Sequence, residues 1–326
     1  YIHKLIRNLE IEVVNKAELN FGIIMPSYTH LQKAQPVLLS HHLMAYFEML
    51  ERDISRFYEC KNRMDQIILG SGAVAGSFYD IDREFLAKEL DFSRVNKNSI
   101  DGVSDRDFIL DLANCITTSM MHLTRLSEEL ILWSSEEFNY INLPDNVVTT
   151  SSMMPQKRNP DYPELIRGKF GRTLGNLVSI ITMLKALPLS YNRDMQEDKE
   201  PIFDSIDTYI SSMEVMIEII KGSNFNKKVM MDSASGNILA TDLADILTMK
   251  GVPFRESHIT ISKLTNELHK EGKSISDLSK SELSKALGED IDIDNKKSIN
   301  SRNIVAGTSE NRVKEEIKTA KKILNI

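Results

Sequence analysis

DGVSDRDFILDLANCITTSMMHLTRLSEELILWSS, residues 101–135, decides the fold class. Phe108, Leu112, Cys115, Ser119, Leu123, Leu126 and Leu130 recur every three or four residues, the period of an amphipathic helix rather than the alternation of a strand. The polar DGVSD start leads into one long helix predicted to reach Ser135. The same period returns over 160–187, where Ile166, Phe170, Leu174, Leu177, Ile181 and Leu184 form the stripe and Gly168, Gly171 and Gly175 leave room for close helix approach. Residues 37–63 and 198–222 read as two further long helices. Helices longer than the globular average predict an all-α fold built on an extended bundle, and apolar residues off the main stripes predict packing against other subunits.

Composition agrees with that reading. A chain of 326 residues is too large for one simple core, and 41% hydrophobic residues with only 7% aromatics and 15 Met suit helix-on-helix packing better than a sheet sandwich. The pattern breaks over 223–235, and shorter helices follow at 238–250, 253–270 and 309–325. Residues 1–230 are therefore expected to form the long-helix bundle carrying the catalytic loops, and 231–326 a smaller C-terminal helical domain. Within the smaller domain, 270–301 reads as short surface helices and loops.

Several function classes drop out. A formal charge of −7 argues against a dedicated nucleic-acid binder and leaves a small anion as the expected ligand. Cys60 and Cys115, alone in apolar helical contexts, make neither a disulfide framework nor a zinc site, and they suit a reducing compartment. No apolar run is long enough to span a membrane, and the opening YIHKLIRNLEIEVV is an amphipathic helix rather than a secretory signal. A soluble, cytoplasmic protein is expected, with no metal and no cofactor, because neither metal-ligand spacing nor a Gly-rich phosphate loop is present. The adjacent His41 and His42 point to different helix faces and read as packing or surface residues. The chain opens at Tyr1 inside a helical pattern, so a preceding N-terminal portion is expected.

Two polar clusters concentrate chemistry. TTSSMMPQKRNPD, residues 149–161, gathers hydroxyls at Ser151 and Ser152, a point charge at Lys157 and a directional donor at Asn159, just ahead of a helix start with free N–H groups and a positive dipole end. Such a segment is suited to holding a carboxylate. MPSYTHLQKAQP, residues 25–36, sets Tyr28, Thr29, His30, Gln32 and Gln35 between two prolines and reads as a loop braced by long helices.

With these residues in view, the chain resembles the argininosuccinate lyase family of the aspartase/fumarase superfamily. The superfamily pattern Gly-Ser-x-x-Met-Pro-x-Lys-x-Asn is met by TSSMMPQKRN, except that Thr150 stands where Gly is usual. The Gln156–Lys157 pair, and the stretches THLQKAQP at 29–36, SGAVAGSFYDIDR at 71–83, VSDRDF at 103–108, EELILWSS at 128–135, YNRDMQEDKE at 191–200 and ATDLADILTMKGVPFRESH at 240–258, are similar to the same branch.

The resemblance implies a cofactor-free elimination that splits argininosuccinate into arginine and fumarate, in a homotetramer whose active sites are shared between subunits. It implies catalytic roles for Ser151 as base, His30 with Glu164 as the proton-handling pair, and Lys157 as stabiliser of the anion. It also implies substrate-binding roles for Thr29, Asn159, Tyr191, Gln196 and Lys199. Thr150, β-branched where the pattern has glycine, predicts a stiffer loop. The family's N-terminal Ser-Arg-x-Asn-Asp-type motif has no counterpart in this sequence. The competing readings are a related lyase of the adenylosuccinate type and a catalytically silent structural relative.

Overall fold

A computed structural model describes residues 1–150 and 152–326; Ser151 lies outside the described residues. Along the chain, α1 covers Ile2–Leu19, and the strands β1 (Ile24–Thr29) and β2 (Gln32–Leu38) lead into α2 (Leu39–Met64). Two short helices, α3 (Arg83–Glu89) and α4 (Ser99–Ser104), precede α5 (Asp107–Ser134). The two-residue strands β3 (Ile141–Asn142), β4 (Thr149–Thr150) and β5 (Arg158–Asn159) come before α6 (Asp161–Leu184), α7 (Lys199–Gly222) and β6 (Asn224–Phe225). The remainder is α8 (Lys227–Ser233), α9 (Ala240–Met249), α10 (Phe254–Lys270), α11 (Lys280–Leu287), α12 (Asn295–Ser301) and α13 (Glu310–Leu324). The fold is all-α, as the periodicity implies, and no helix among the described residues is long and apolar enough to cross a membrane.

The chain divides into two compact units. The first comprises Tyr1–Glu10, Glu48–Leu132 and Leu143–Gly222. Its core joins α5, α6 and α7 through buried Ile109, Ala113, Ile180 and Ile202, with Leu177, Leu184 and Ile206 packed around them. Several polar groups inside it are paired, which offsets the cost of burying them. The hydroxyls of Ser119 and Tyr209 meet at 2.8 Å, and His122 Nδ1 lies 2.8 Å from the buried Asp53 carboxylate.

The second unit comprises Ile11–Phe47, Trp133–Asn142 and Ser223–Ile326. Here β1 and β2 form an antiparallel hairpin, β3 pairs with β6, and Leu243, Leu247, Ile261, Leu268, Leu283 and Ile291 make a core between α9, α10 and α11. Its helix starts are read directly from sequence: Ser279 and Glu282 form a reciprocal capping box on α11, and the Ser309 side chain accepts the Arg312 N–H on α13.

Three local expectations change. The helix predicted from Asp101 is two helices, because Asp105 leaves the helical region and its carboxylate accepts the Asp107 N–H at 2.7 Å, ending α4 and capping α5. The segment 25–36 is not a loop but a β-hairpin. On α6 the buried line is Ile166, Thr173 and Ile180, whereas Leu174 and Ile181 of the expected stripe are exposed on this chain.

Candidate active site

In the first unit, β4 and β5 pair antiparallel, Thr149 opposite Asn159 and Thr150 opposite Arg158. This pairing pinches together the two ends of the segment that bears Ser151, whose position lies outside the described residues. Thr150 sits in an extended strand, so the glycine usual at this place is not required by the backbone seen here, and the stiffness expected of threonine falls on a conformation it favours. Three side-chain contacts brace the pair. Thr149 Oγ1 donates to the Asp161 carboxylate, and Arg158 donates to Asp145 at 2.7 Å and to the Leu143 carbonyl at 3.2 Å.

Inside the segment, the Lys157 N–H donates to the Met154 carbonyl at 3.0 Å, closing a turn that leaves the Lys157 side chain exposed. Asn159, half-buried, ends β5 one residue before Pro160 and the start of α6. Glu164 is exposed in the first turn of α6 together with Asp161. Two carboxylates there favour the positive helix end. The same dipole end and its unpaired N–H groups attract an anionic ligand.

Farther along this unit, Gln196 Nε2 donates to the Tyr191 hydroxyl at 2.8 Å, so two expected substrate-binding groups are already joined. Lys199, the first residue of α7, pairs with the fully buried Asp198. The other oxygen of Asp198 takes Arg106 Nε at 2.8 Å. Arg106 thereby fixes the Asp198–Lys199 corner while leaving the exposed lysine ammonium available to a second anion. Neither Arg106 nor Asp198 stands out in sequence, although VSDRDF and YNRDMQEDKE each contain one of them.

In the second unit, His30 and Thr29 stand exposed at the tip of the β1–β2 hairpin. The connection is a two-residue turn, His30 and Leu31, with φ of 55° and 57°. Both angles are left-handed, the conformation of a type I′ turn, for which Asn-Gly is the usual sequence. Two non-glycine residues held there cost roughly 1–2 kcal/mol each. Lower in the hairpin Pro26 opposes Pro36, so neither can donate to the ladder. Ser27 repairs the gap at the adjoining bulge: its hydroxyl donates to the Gln35 carbonyl at 2.8 Å and accepts the Gln35 N–H at 3.2 Å. Above it the Tyr28 hydroxyl meets that of the buried Tyr140 at 2.7 Å. Burial and this contact push the Tyr28 phenol above its ordinary range.

The expected residues thus fall into two groups. Lys157, Asn159, Glu164, Tyr191, Gln196 and Lys199 belong to the first unit, and Thr29 and His30 to the second. Lys157, Asn159 and Glu164 lie on the segment that runs into α6, Tyr191, Gln196 and Lys199 on the segment that runs into α7, and Thr29 and His30 at the hairpin tip. Hydroxyl, ammonium, amide, imidazole and carboxylate groups of this kind suit proton transfer beside a carboxylate-bearing substrate.

Comparisons with known proteins match most of the chain. Residues 1–175 match the family model described as "Lyase", and 237–306 the one described as "Argininosuccinate lyase C-terminal". The argininosuccinate lyase of Geobacter metallireducens is 49% identical over 315 residues, which is 95% of this chain and 69% of that protein. The one from Carboxydothermus hydrogenoformans is 51% identical over 280 residues, 86% of this chain and 61% of that protein. Among solved structures, an EDDS lyase variant with bound fumarate superposes with a TM-score of 0.91 at 27% identity, covering 99% of this chain and 67% of that one. EDDS lyase in complex with formate gives the same TM-score of 0.91 at 28% identity.

Proposed function

Because the chain belongs to the argininosuccinate lyase family, we propose that it catalyses the reversible elimination of fumarate from argininosuccinate, leaving arginine. The observation that carries this reading is 49% identity across 95% of the chain to an argininosuccinate lyase. The position of Asn159 at the end of β5, two residues ahead of α6, with the exposed Lys157 just before that strand, supports it.

The reaction removes a proton from the carbon beside a carboxylate and breaks the bond from the neighbouring carbon to the guanidinium nitrogen. It is redox-neutral: the electron pair of the broken C–H bond becomes the second bond of fumarate, and the pair of the C–N bond leaves with nitrogen, which is reprotonated. The carbon acid is weak, so the barrier lies in the dianionic aci-carboxylate formed as the proton departs. We assign Ser151 as the base, its alkoxide favoured by a lysine and N–H groups in a site emptied of water. Lys157 and Asn159 hold the developing charge. His30, with Glu164 as its acidic partner, manages the proton needed by the leaving nitrogen. Thr29, Tyr191, Gln196 and Lys199 bind the carboxylates and the amino-acid end of the substrate. For Lys199 the support is its ammonium poised over Asp198; for Tyr191 and Gln196 it is their mutual hydrogen bond.

The protein is further proposed to work as a cytoplasmic homotetramer with active sites shared between subunits, its 1–230 bundle carrying the catalytic loops and 231–326 forming the smaller helical domain. The exposed positions of His30, Lys157, Glu164 and Lys199 support a site completed by other copies. The unpaired cysteines, Cys60 and Cys115, suit a reducing compartment.

Release of fumarate, followed by ultraviolet absorbance with argininosuccinate and adenylosuccinate offered in parallel, tests the activity. Activity with argininosuccinate that Ser151→Ala abolishes is expected. A rate no higher than that of Ser151→Ala removes the proposal, and preference for adenylosuccinate reassigns the substrate.

A further inference from the structure

The turn that carries His30 is strained, and the space beside it is empty. A cavity of about 620 Å³ is lined by Tyr28, Leu31, Gln32 and Lys33 of the hairpin, with Phe138 and Asn237 among the residues opposite. On that side the Tyr28 ring packs against Phe138 with centroids 5.6 Å apart, and beyond that contact the turn faces the cavity. The last rungs of the ladder are Tyr28 opposite Lys33 and Thr29 opposite Gln32, and beyond them come only His30 and Leu31.

Both members of the Tyr28–Lys33 rung are tied to other segments of the same unit. Tyr28 reaches Tyr140 through paired hydroxyls at 2.7 Å, and Lys33 Nζ donates to the Ser233 carbonyl at 2.8 Å. Each anchor is itself fixed. The Tyr140 N–H donates to the Trp133 carbonyl at 2.8 Å, its carbonyl accepts the Asn226 N–H at 2.8 Å, and its ring lies edge-on to Phe138 with centroids 5.4 Å apart. Ser233 closes α8. At the base of the hairpin, the buried Leu38 N–H donates to Thr308 Oγ1 at 2.9 Å.

We infer that Tyr28, Tyr140 and Lys33 are positioning residues for His30: together the tyrosine hydroxyl pair and the lysine-to-carbonyl bond clamp the last rung of the hairpin and hold the left-handed His30–Leu31 turn in place over an open cavity. This inference rests on the proposed role of His30 in the elimination. With one ring contact, Tyr28 on Phe138, beside them, these two directional bonds set the geometry of the tip, which is lost when either bond goes while the rest of the fold keeps its core. Small displacements of a catalytic group are costly to rate and need not weaken substrate binding.

The test uses the full chain and the variants Tyr28→Phe, Tyr140→Phe, Lys33→Met and Lys33→Arg. Tyr28→Phe keeps the ring and removes only the hydroxyl. Loss of either bond is expected to lower kcat for fumarate release about ten-fold while KM for argininosuccinate stays within about two-fold. The double variant Tyr28→Phe/Tyr140→Phe is expected to be no worse than either single one, because the pair acts as a unit. Lys33→Arg, which retains a donor, is expected to restore most of the rate.

Amide hydrogen exchange supplies a readout independent of activity. Exchange at residues 29–32 is expected to quicken about ten-fold in Tyr28→Phe and Lys33→Met, with the cores unchanged. Unchanged kcat in both variants, or unchanged exchange at the tip, overturns the clamp. A parent protein that releases no fumarate removes the proposed activity instead, and the exchange comparison then decides the clamp alone.

Discussion

Lys157 is an exposed ammonium on a turn between two strands, with its own backbone N–H committed to the Met154 carbonyl. Under the proposed role its charge serves a ligand rather than the fold. Lys157→Ala should lower kcat/KM for fumarate release by about two to three orders of magnitude, the usual loss for one donor to an oxyanion, with the thermal midpoint unchanged. A parallel fall in midpoint would move Lys157 from chemistry to structure. Glu10 presents the opposite case. It is fully buried; Arg7 donates to one oxygen at 2.7 Å, but burial, aided by the nearby Glu51 carboxylate, raises its pKa from 4.5 to about 8. The unfolded chain therefore gives up this proton at lower pH than the folded chain does, so the contribution of Glu10 to stability is lost as pH climbs from about 4.5 to about 8. Glu10→Gln, neutral at every pH, should flatten that decline and be more stable than the parent at pH 8 by about 1 kcal/mol or more, an advantage that shrinks toward acid pH. Denaturant melts at several pH values check this, and equal slopes in both proteins would refute it. At this scale the groups proposed to react are legible in the sequence and the residues that support them are not. Lys157, Asn159 and His30 are conspicuous because their motifs carry them. Arg106, Asp198 and Tyr140 act through long-range contacts, and the spacing of residues along a chain does not encode which distant partner a buried side chain will meet.

At the scale of elements, the helices follow from their periodicity, and the departures have local causes. Asp105 interrupts the predicted helix because a carboxylate can accept an N–H two residues on, offering the backbone an alternative to continuing. The hairpin is not legible in the sequence, because its opposed prolines suppress strand signals and its turn is His-Leu instead of Asn-Gly; only the ladder itself reveals it. On α6, a stripe drawn from sequence cannot say which of two apolar faces meets its own chain. Ile180 is completely buried against α5 and α7, while its neighbour Ile181 is 50% exposed. Ile180→Ala should therefore cost roughly 2–5 kcal/mol through lost contacts and a cavity, and shift the midpoint of unfolding without changing its cooperativity. A change below about 0.5 kcal/mol, the range expected for a surface site, would mean that the α5–α6–α7 core is mis-drawn.

At the scale of the whole molecule, the second face of α6 asks for a partner. Leu174, Val178 and Ile181 are exposed along this 24-residue helix, and a side chain added at Gly168, Gly171 or Gly175 would meet nothing of this chain. Apolar surface of this kind marks an interaction site, and a small-residue line lets a second helix come close. A second copy of the same helix fits best, since a two-fold axis lets one patch cover itself. The proposed site has a parallel need: Lys157, Glu164, Lys199 and His30 all stand exposed, and an elimination through a dianion requires that water be kept from them. Assembly and activity should therefore fail together. The double variant Val178→Asp/Ile181→Asp places two carboxylates on the outer face and leaves every proposed catalytic residue and the buried Ile180 in place. Light scattering is expected to show a tetramer for the parent and a smaller species for the variant, with helical circular dichroism retained and fumarate release reduced by at least about a hundred-fold, the scale of losing one well-placed catalytic group. A variant that stays tetrameric would show that the outer face of α6 is not the contact, and one that dissociates yet keeps its rate would show that a single chain encloses its own site.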